Sequence, residues 1–256
     1  MTQKSFDTFR PVALITGATR GIGRAVAQRF ALDGFDLALV YRSNRAAAQE
    51  ATLSLVGMGA RLHLIQADLA QPEAAYTVIE QTLAAFGALD VLVNNAGGTH
   101  DGAFAMMRPI DYAHVVRSNL IAPLRLSLLA ALHLIASARA GRAGAVVMMS
   151  SMAGITGKEG QVPYATTKSG LIGVTRLLAR RLGPHGVRVN AVAPGFIATE
   201  MVETLEPEMY EHVIAASATR RMGRPEEVAA TVGFLAGGGA SYLNGSVLRV
   251  DGGFLR

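Results

Sequence analysis

Apolar residues in this chain fall into two kinds of run that alternate along its length. Short, near-continuous stretches lie at residues 12–15, 37–40, 62–65, 89–93, 145–149, 187–192 and 246–250. Such unbroken hydrophobicity is expected of parallel strands buried on both faces. The longer segments between them carry apolar residues at helical spacing. Ile22, Val26 and Phe30 recur every four residues, and Gly34 beyond them is a stop signal. Pro72 suits a first helical turn, Ile79, Leu83 and Phe86 form an apolar face, and Gly87 ends it. A long helix is expected after Asp111, bent at Pro123. Another is expected from Tyr164 to Leu182, with Pro184 past its end.

Strand and helix in alternation predict an α/β fold, with a parallel sheet, right-handed crossovers and helices on both faces. No linker-like stretch divides the chain, so residues 1–256 read as a single domain. Residues 199–221 lack a strand and are richer in polar residues and Met. They stand between the sixth and seventh strands and are expected to form a substrate-binding lid.

Composition narrows the chemistry. Half the residues are hydrophobic and 17% are charged, enough for a sizeable core and against disorder. The absence of cysteine excludes disulfides, thiolate metal sites and cysteine nucleophiles. The six histidines show no metal-ligand spacing, and no metal is expected. The polar start from Met1 to Arg10 lacks the apolar stretch of a signal peptide. The uncharged run at 126–138 is too short to span a bilayer. The expectation is a cytoplasmic protein with no membrane contact. A net charge of +5 points to a solvated basic surface or an anionic ligand. The arginines are scattered rather than clustered, which argues against nucleic acid.

Three features carry candidate chemistry. Thr16 to Gly23 follows the first strand and opens the first helix, with glycine at 17, 21 and 23. Glycine there permits a tight turn and close approach of the backbone to a pyrophosphate, which the free N–H groups of the helix start would bind. The second strand ends Val40-Tyr41-Arg42 without the acidic residue that normally holds the ribose 2′-OH of NAD. Arg42 and Arg20 instead offer guanidinium groups suited to a 2′-phosphate, which points to NADPH. Tyr164 and Lys168 stand four apart on one helical face, where an ammonium favours phenolate and makes tyrosine a usable acid and base. Ser150 and Ser151 end the fifth strand, at the carboxyl edge where such sheets bind ligands.

The turn spacing G-x-x-x-G-x-G, the Asn94-Asn95-Ala96-Gly97 run and Tyr164-x-x-x-Lys168 together resemble the short-chain dehydrogenase/reductase family over nearly the whole chain. The resemblance implies a single NAD(P)-binding, Rossmann-type, doubly wound seven-stranded parallel sheet in order 3-2-1-4-5-6-7. It implies a catalytic set of Asn119, Ser151, Tyr164 and Lys168, with Ser150 as the fallback for Ser151. In that set Ser151 holds the substrate oxygen, Tyr164 moves the proton and Asn119 holds a water that links Lys168 to solvent. The implied cofactor set is Gly17, Thr19, Arg20, Gly21, Ile22 and Gly23 in the turn; Tyr41, Arg42 and Ser43 after the second strand; and Asp68 and Leu69 after the third. It continues with Asn95, Ala96 and Gly97 after the fourth strand, Tyr164 and Lys168 themselves, and Pro194, Gly195, Ile197 and Thr199 after the sixth.

Further stretches resemble the beta-ketoacyl-carrier-protein reductases within that family: Gly98-Thr99-His100-Asp101, Gly157 to Gln161, Phe196 to Met201 and Val250-Asp251-Gly252-Gly253. That implies NADPH-dependent reduction of a 3-oxoacyl thioester, an acyl-carrier-protein partner and a homotetramer. Pro163, His185 and the glycines at 237–239 depart from the subfamily pattern, whereas Arg142 matches one of its carrier-docking residues. Reduction or oxidation of another small ketone, sugar or alcohol, and NADP sensing without chemistry, are the alternatives.

Overall fold

The structure is a computed structural model that describes residues 10–199 and 207–254. Seven parallel strands form one sheet in the order β3-β2-β1-β4-β5-β6-β7. They are β1 (Val12–Thr16), β2 (Asp36–Tyr41), β3 (Leu62–Gln66), β4 (Val91–Asn94), β5 (Ala145–Met149), β6 (Arg188–Pro194) and β7 (Val247–Val250). This is the Rossmann-type order that the resemblance implied. The order reverses between β1 and β4, which leaves a crevice at the carboxyl ends of the strands, where α/β sheets take ligands.

Alternation along each strand feeds two separate cores. Ile15, Leu37, Leu39, Val93 and Val147 point to one face. There they meet Val26 and Phe30 of α1 (Gly21–Leu32), Leu55 of α2 (Arg45–Gly57), and Val228 and Val232 of α9 (Pro225–Ala236). Leu14, Val40, Leu92 and Val146 point the other way. They meet Val78 of α3 (Ala74–Phe86), Leu126 and Leu134 of α5 (Ala122–Arg139) and Leu171 of α7 (Val162–Leu182).

Strand limits differ from the sequence reading by a residue or two. Just before β4, Asp90 is fully buried; its backbone bonds Val12 and Ala145, and its carboxylate accepts the Val12 N–H at 2.7 Å and the Arg142 guanidinium at 2.9 Å. The helix expected after Asp111 is α4 (Pro109–Val116) and α5, joined by a π-helical turn at Arg117–Ile121. Pro123 has no N–H, and its ring excludes the carbonyl four residues back. Before it, the Ala122 N–H reaches five residues back to the Arg117 carbonyl. The regular helix is therefore interrupted over the five residues 117–121, ahead of the proline.

By length and composition the helical run Pro109–Arg139 could cross a membrane. One side of it covers the sheet, and its buried Ser127 and Ser137 hydroxyls donate to the Pro123 and Leu89 carbonyls. Within the expected lid, α8 (Pro207–Ala215) is helical, while 200–206 lie outside the described residues. Also outside them are Met1 to Phe9 of the predicted polar start.

Candidate active site

The glycine turn is stitched to both neighbouring strands. Gly17 and Ala18 donate their N–H groups to the Val40 carbonyl at 2.9 and 3.2 Å, which holds the turn against the end of β2. On the other side, the Thr16 hydroxyl accepts from the Asn95 and Ala96 N–H groups, both at 2.9 Å. The Asn95 amide returns to the Thr16 and Gly17 carbonyls at 2.9 and 3.0 Å. Asn95, Ala96 and Gly97 thus form the wall facing Gly17, with Thr19 buried behind it and Ile22 packed onto the core. Across the turn, a Cβ on Gly21 would lie 3.3 Å from the Thr199 methyl, so the chain after β6 closes over the start of α1.

β6 delivers that chain. Gly195 donates to the Val250 carbonyl at 2.9 Å, and a Cβ on it would meet Asp251 at 2.8 Å. Ile197 is buried and bridges to Gly223. Pro194 to Thr199 is therefore a braced strap beside the turn, not a free loop.

At the end of β2, Arg42 and Ser43 are exposed, as is Arg20 at the start of α1. Tyr41 points away from them: it is buried, and its hydroxyl donates to Gln66 Oε1 of β3 at 3.3 Å. It holds the strand end rather than offering its phenol to the crevice. The position after Asn44, which caps α2 by accepting the Ala47 N–H at 3.0 Å, is an exposed Arg45. This third basic residue at the same corner escaped the sequence reading. Asn44-Arg45 as a cap followed by a first helical turn was the available signal. Asp68 caps its own turn, accepting the Ala70 N–H at 3.1 Å, and Leu69 packs on the core.

The catalytic candidates converge at the ends of β4 and β5. Lys168 is buried and its ammonium donates to the Met149 carbonyl at 2.7 Å. It lies 5.5 Å from the centre of the Tyr164 ring. A Cβ on Gly97 would come within 3.3 Å of both Lys168 Nζ and Asn119 Oδ1. Lys168, Asn119 and the β4 turn therefore share one small space, and glycine at 97 keeps it open. The two serines divide their work. The Ser150 hydroxyl is buried and donates to the Lys168 carbonyl at 2.8 Å, which ties β5 to α7. The Ser151 hydroxyl is the one that bonds the Tyr164 phenol. It also accepts the Ala153 N–H at 3.2 Å.

Burial sets the protonation states. It pushes the Tyr164 phenol up from its ordinary value, the Ser151 hydrogen bond pulls it back, and the Asp101 carboxylate raises it further. Burial also lowers the Lys168 ammonium to about 8. The sequence reading expected Lys168, together with a bound cationic nicotinamide, to lower the tyrosine; in the protein alone the net shift is upward, with desolvation its largest cause.

The Asn119 side chain is fully buried and spent on the backbone of Gly98. It donates to the Gly98 carbonyl at 2.8 Å and accepts the Gly98 N–H at 3.0 Å, with the Ser118 hydroxyl on the same oxygen at 2.9 Å. It fixes the β4 turn over Lys168, so its side chain is a brace. Arg142, which the sequence matched to a carrier-docking residue, is bound to buried Asp90 and to Ser137 Oγ at 2.9 Å each. It secures the start of β4 and is not a loose surface cation. Together, the glycine cradle, the corner of exposed arginines and the Tyr164, Ser151 and Lys168 cluster lie along one edge of one sheet.

Comparison with known proteins follows the same line. The enoyl-(acyl carrier protein) reductase family model matches residues 17–255. A 3-oxoacyl-(acyl-carrier-protein) reductase FabG of Staphylococcus aureus is 36% identical over 241 residues, 94% of this chain and 96% of the relative. A 3-oxoacyl-(acyl-carrier-protein) reductase of Synechocystis is 39% identical over 245 residues, 95% of this chain and 96% of the relative. Among solved structures, a blue fluorescent protein from a metagenomic library, in complex with NADPH, superposes with a TM-score of 0.87 at 35% identity. That match covers 96% of this chain and 98% of the other. Acetoin dehydrogenase YohF from Salmonella typhimurium gives a TM-score of 0.86 at 34% identity and covers 96% of each chain.

Proposed function

Because the chain belongs to the short-chain dehydrogenase/reductase family, we propose that it is an NADPH-dependent reductase of a 3-oxoacyl thioester. The observation that carries this reading is the cluster of half-buried Tyr164 and Ser151 with buried Lys168, opening beside a glycine cradle. The cradle fits a dinucleotide: the backbone of Gly17 and Gly21 is exposed enough to be approached, and Gly97 has no Cβ to fill the space by Lys168. Residues 17–23 would hold the pyrophosphate at the start of α1, with Asn95, Ala96 and Thr199 as flanking walls. Asp68 and Leu69 would flank the adenine, Lys168 the nicotinamide ribose, and Pro194 to Thr199 the carboxamide. Bound NADPH supplies the hydride.

The chain's own residues do the rest. Ser151 holds the substrate oxygen and Tyr164 donates its proton as negative charge develops there. Lys168 orients the cofactor side of the site and faces the Tyr164 ring. Asn119 is a positioning residue that acts through Gly98. A cytoplasmic location and an acyl-carrier protein or CoA as the thioester carrier belong to the same reading. The test is NADPH consumption with acetoacetyl-carrier protein, acetoacetyl-CoA, a crotonyl thioester and a panel of sugars and simple ketones. Rapid turnover confined to the two acetoacetyl thioesters supports the reading. Preference for a sugar or for the crotonyl double bond overturns it, and binding of NADPH without turnover of any of them leaves only a sensor.

Choice of NADPH rests on Arg20, Arg42 and Arg45, exposed and without an ion-pair partner among the described residues, at the corner where the 2′-phosphate would lie. Arg42→Asp is expected to lower the NADPH-over-NADH ratio of kcat/KM by about 100-fold, since it removes one charge-assisted contact and adds repulsion. An unchanged ratio would show that this corner does not read the phosphate.

A homotetramer is part of the proposal. Leu124, Leu128 and Leu132 stand at successive turns of α5 and are 39%, 71% and 76% exposed, with Leu177 of α7 at 68%. An apolar stripe of this kind needs a cover. Leu128→Glu combined with Leu132→Glu is expected to reduce the species seen by light scattering from four chains to two or one. Retention of four chains would locate the contacts elsewhere.

A further inference from the structure

We propose that Asp101 and Gln161 form a charge-selecting clasp at the mouth of the site, which admits neutral ketones, esters and thioesters and disfavours substrates with an anionic group near the reacting carbonyl. The inference rests on the reading of Tyr164 as the proton donor and adds the kind of substrate that can reach it.

The clasp joins two loops that face each other across the site. Gln161 Nε2 donates to Asp101 Oδ2 at 2.7 Å, and next to this bond the Gly102 N–H donates to the Gly160 carbonyl at 2.9 Å. The Gln161 backbone is already spent: its N–H goes to the Lys158 carbonyl, and its carbonyl accepts the Ala165 N–H at 2.8 Å. Its side chain is buried and makes no cap on its own helix, so it is free to hold the carboxylate. Gln161 stands three residues before Tyr164. The bond thus anchors a negative charge on the segment that leads into Tyr164, near enough for its field to act on the phenol.

That charge is not cancelled locally. Asp101 has no ion pair among the described residues, and its field opposes negative charge on the Tyr164 oxygen. The same field acts on any anion presented to that oxygen. Charged residues on the facing segments include Lys168 of α7 and, just before Gln161, Lys158 and the exposed Glu159. The Lys168 ammonium is bound to the Met149 carbonyl, and Lys158 lies over the Phe196 ring at 5.2 Å. Beside Asp101, the exposed Phe104 and Met106 make the rim apolar. An apolar rim with one fixed anion suits an uncharged acyl group. A free oxo acid carries its carboxylate two bonds from the ketone and would be repelled.

The test compares acetoacetate with ethyl acetoacetate, which share the ketone and differ in charge. In Asp101→Asn, the preference for the ester, as a ratio of kcat/KM values, is expected to fall about tenfold, a difference of about 1.4 kcal/mol. In Asp101→Glu, which keeps the charge, it is expected to stay within about twofold of wild type. Added salt should narrow the preference in the wild type and leave it unchanged in Asp101→Asn. An ester preference equal in wild type and Asp101→Asn overturns the clasp while leaving the reduction reading intact. If Asp101→Asn does not fold, a wild-type preference insensitive to salt overturns it. If the wild type reduces neither ketone nor any thioester, the reduction reading fails and the clasp fails with it.

Discussion

Replacing Tyr164 with Phe is expected to lower kcat for ketone reduction by about 10³-fold while NADPH binding stays within about threefold of wild type. The reasoning starts from the proton. Hydride addition to a carbonyl leaves an alkoxide, and at neutral pH water is a poor donor to it inside a cleft. The Tyr164 phenol is partly buried, and desolvation holds its proton in place, so the acid form needed for reduction predominates. The Ser151 hydroxyl bonds the same phenol oxygen, which puts donor and oxygen-holding groups at one point. Phe keeps the ring that packs 5.5 Å from the Lys168 ammonium and removes only the hydroxyl. A thousandfold loss corresponds to about 4 kcal/mol of transition-state stabilisation, the scale of one well-placed general acid.

Two measurements check this. Fluorescence titration with NADPH reports the cradle, and steady-state turnover reports the chemistry. Turnover near wild type would remove Tyr164 from the reaction. Loss of binding as well as turnover would make it a structural residue. Lys168 gives a second handle through its lowered value of about 8. Above that pH its ammonium loses charge, so any contribution of that charge to holding the cofactor is present below about 8 and fades above it.

The parts of this site that were legible in the sequence depend on neighbours along the chain. The strands showed as apolar runs because both their faces are buried, and the turn at 17–23 showed because only glycine serves there. Tyr164 and Lys168 showed through helical spacing. What the sequence could not reveal depends on distant partners. Arg142 reads as a surface cation until Asp90, 52 positions away, is seen to bind it. That the Asn119 amide braces the Gly98 backbone, 21 positions away, has no local signal either. Asp101 and Gln161 lie 60 positions apart and carry no local pattern that would pair them. The π-helical turn at Arg117–Ile121 reflects a hydrogen bond that Pro123 cannot make, and a proline alone does not say which residues ahead of it will take the irregular turn.

Gly23→Ala is expected to abolish the cradle, with NADPH affinity reduced at least about 100-fold and the protein destabilised by several kcal/mol, on the order of 3. An added methyl at this position would lie 2.0 Å from the Gly17 carbonyl oxygen and 2.5 Å from Asn95 Nδ2. Neither neighbour can give way cheaply. Gly17 is held by its N–H bond to the Val40 carbonyl at 2.9 Å and has a φ of 64°, a conformation that suits glycine. Asn95 Nδ2 is held by the Thr16 and Gly17 carbonyls. To admit the methyl, α1 must move off the turn, which breaks those bonds and withdraws the helix start from the pyrophosphate position. By contrast, a Cβ on Gly34, at the far end of the same helix, would meet nothing within 4 Å, although its φ of 83° still favours glycine. Gly34→Ala should therefore cost only about 1 kcal/mol of backbone strain and leave NADPH affinity unchanged. Thermal melting and cofactor titration of the two variants side by side decide the matter. If Gly23→Ala binds NADPH as tightly as Gly34→Ala, the close approach of α1 to Gly17 is not what builds the cofactor site.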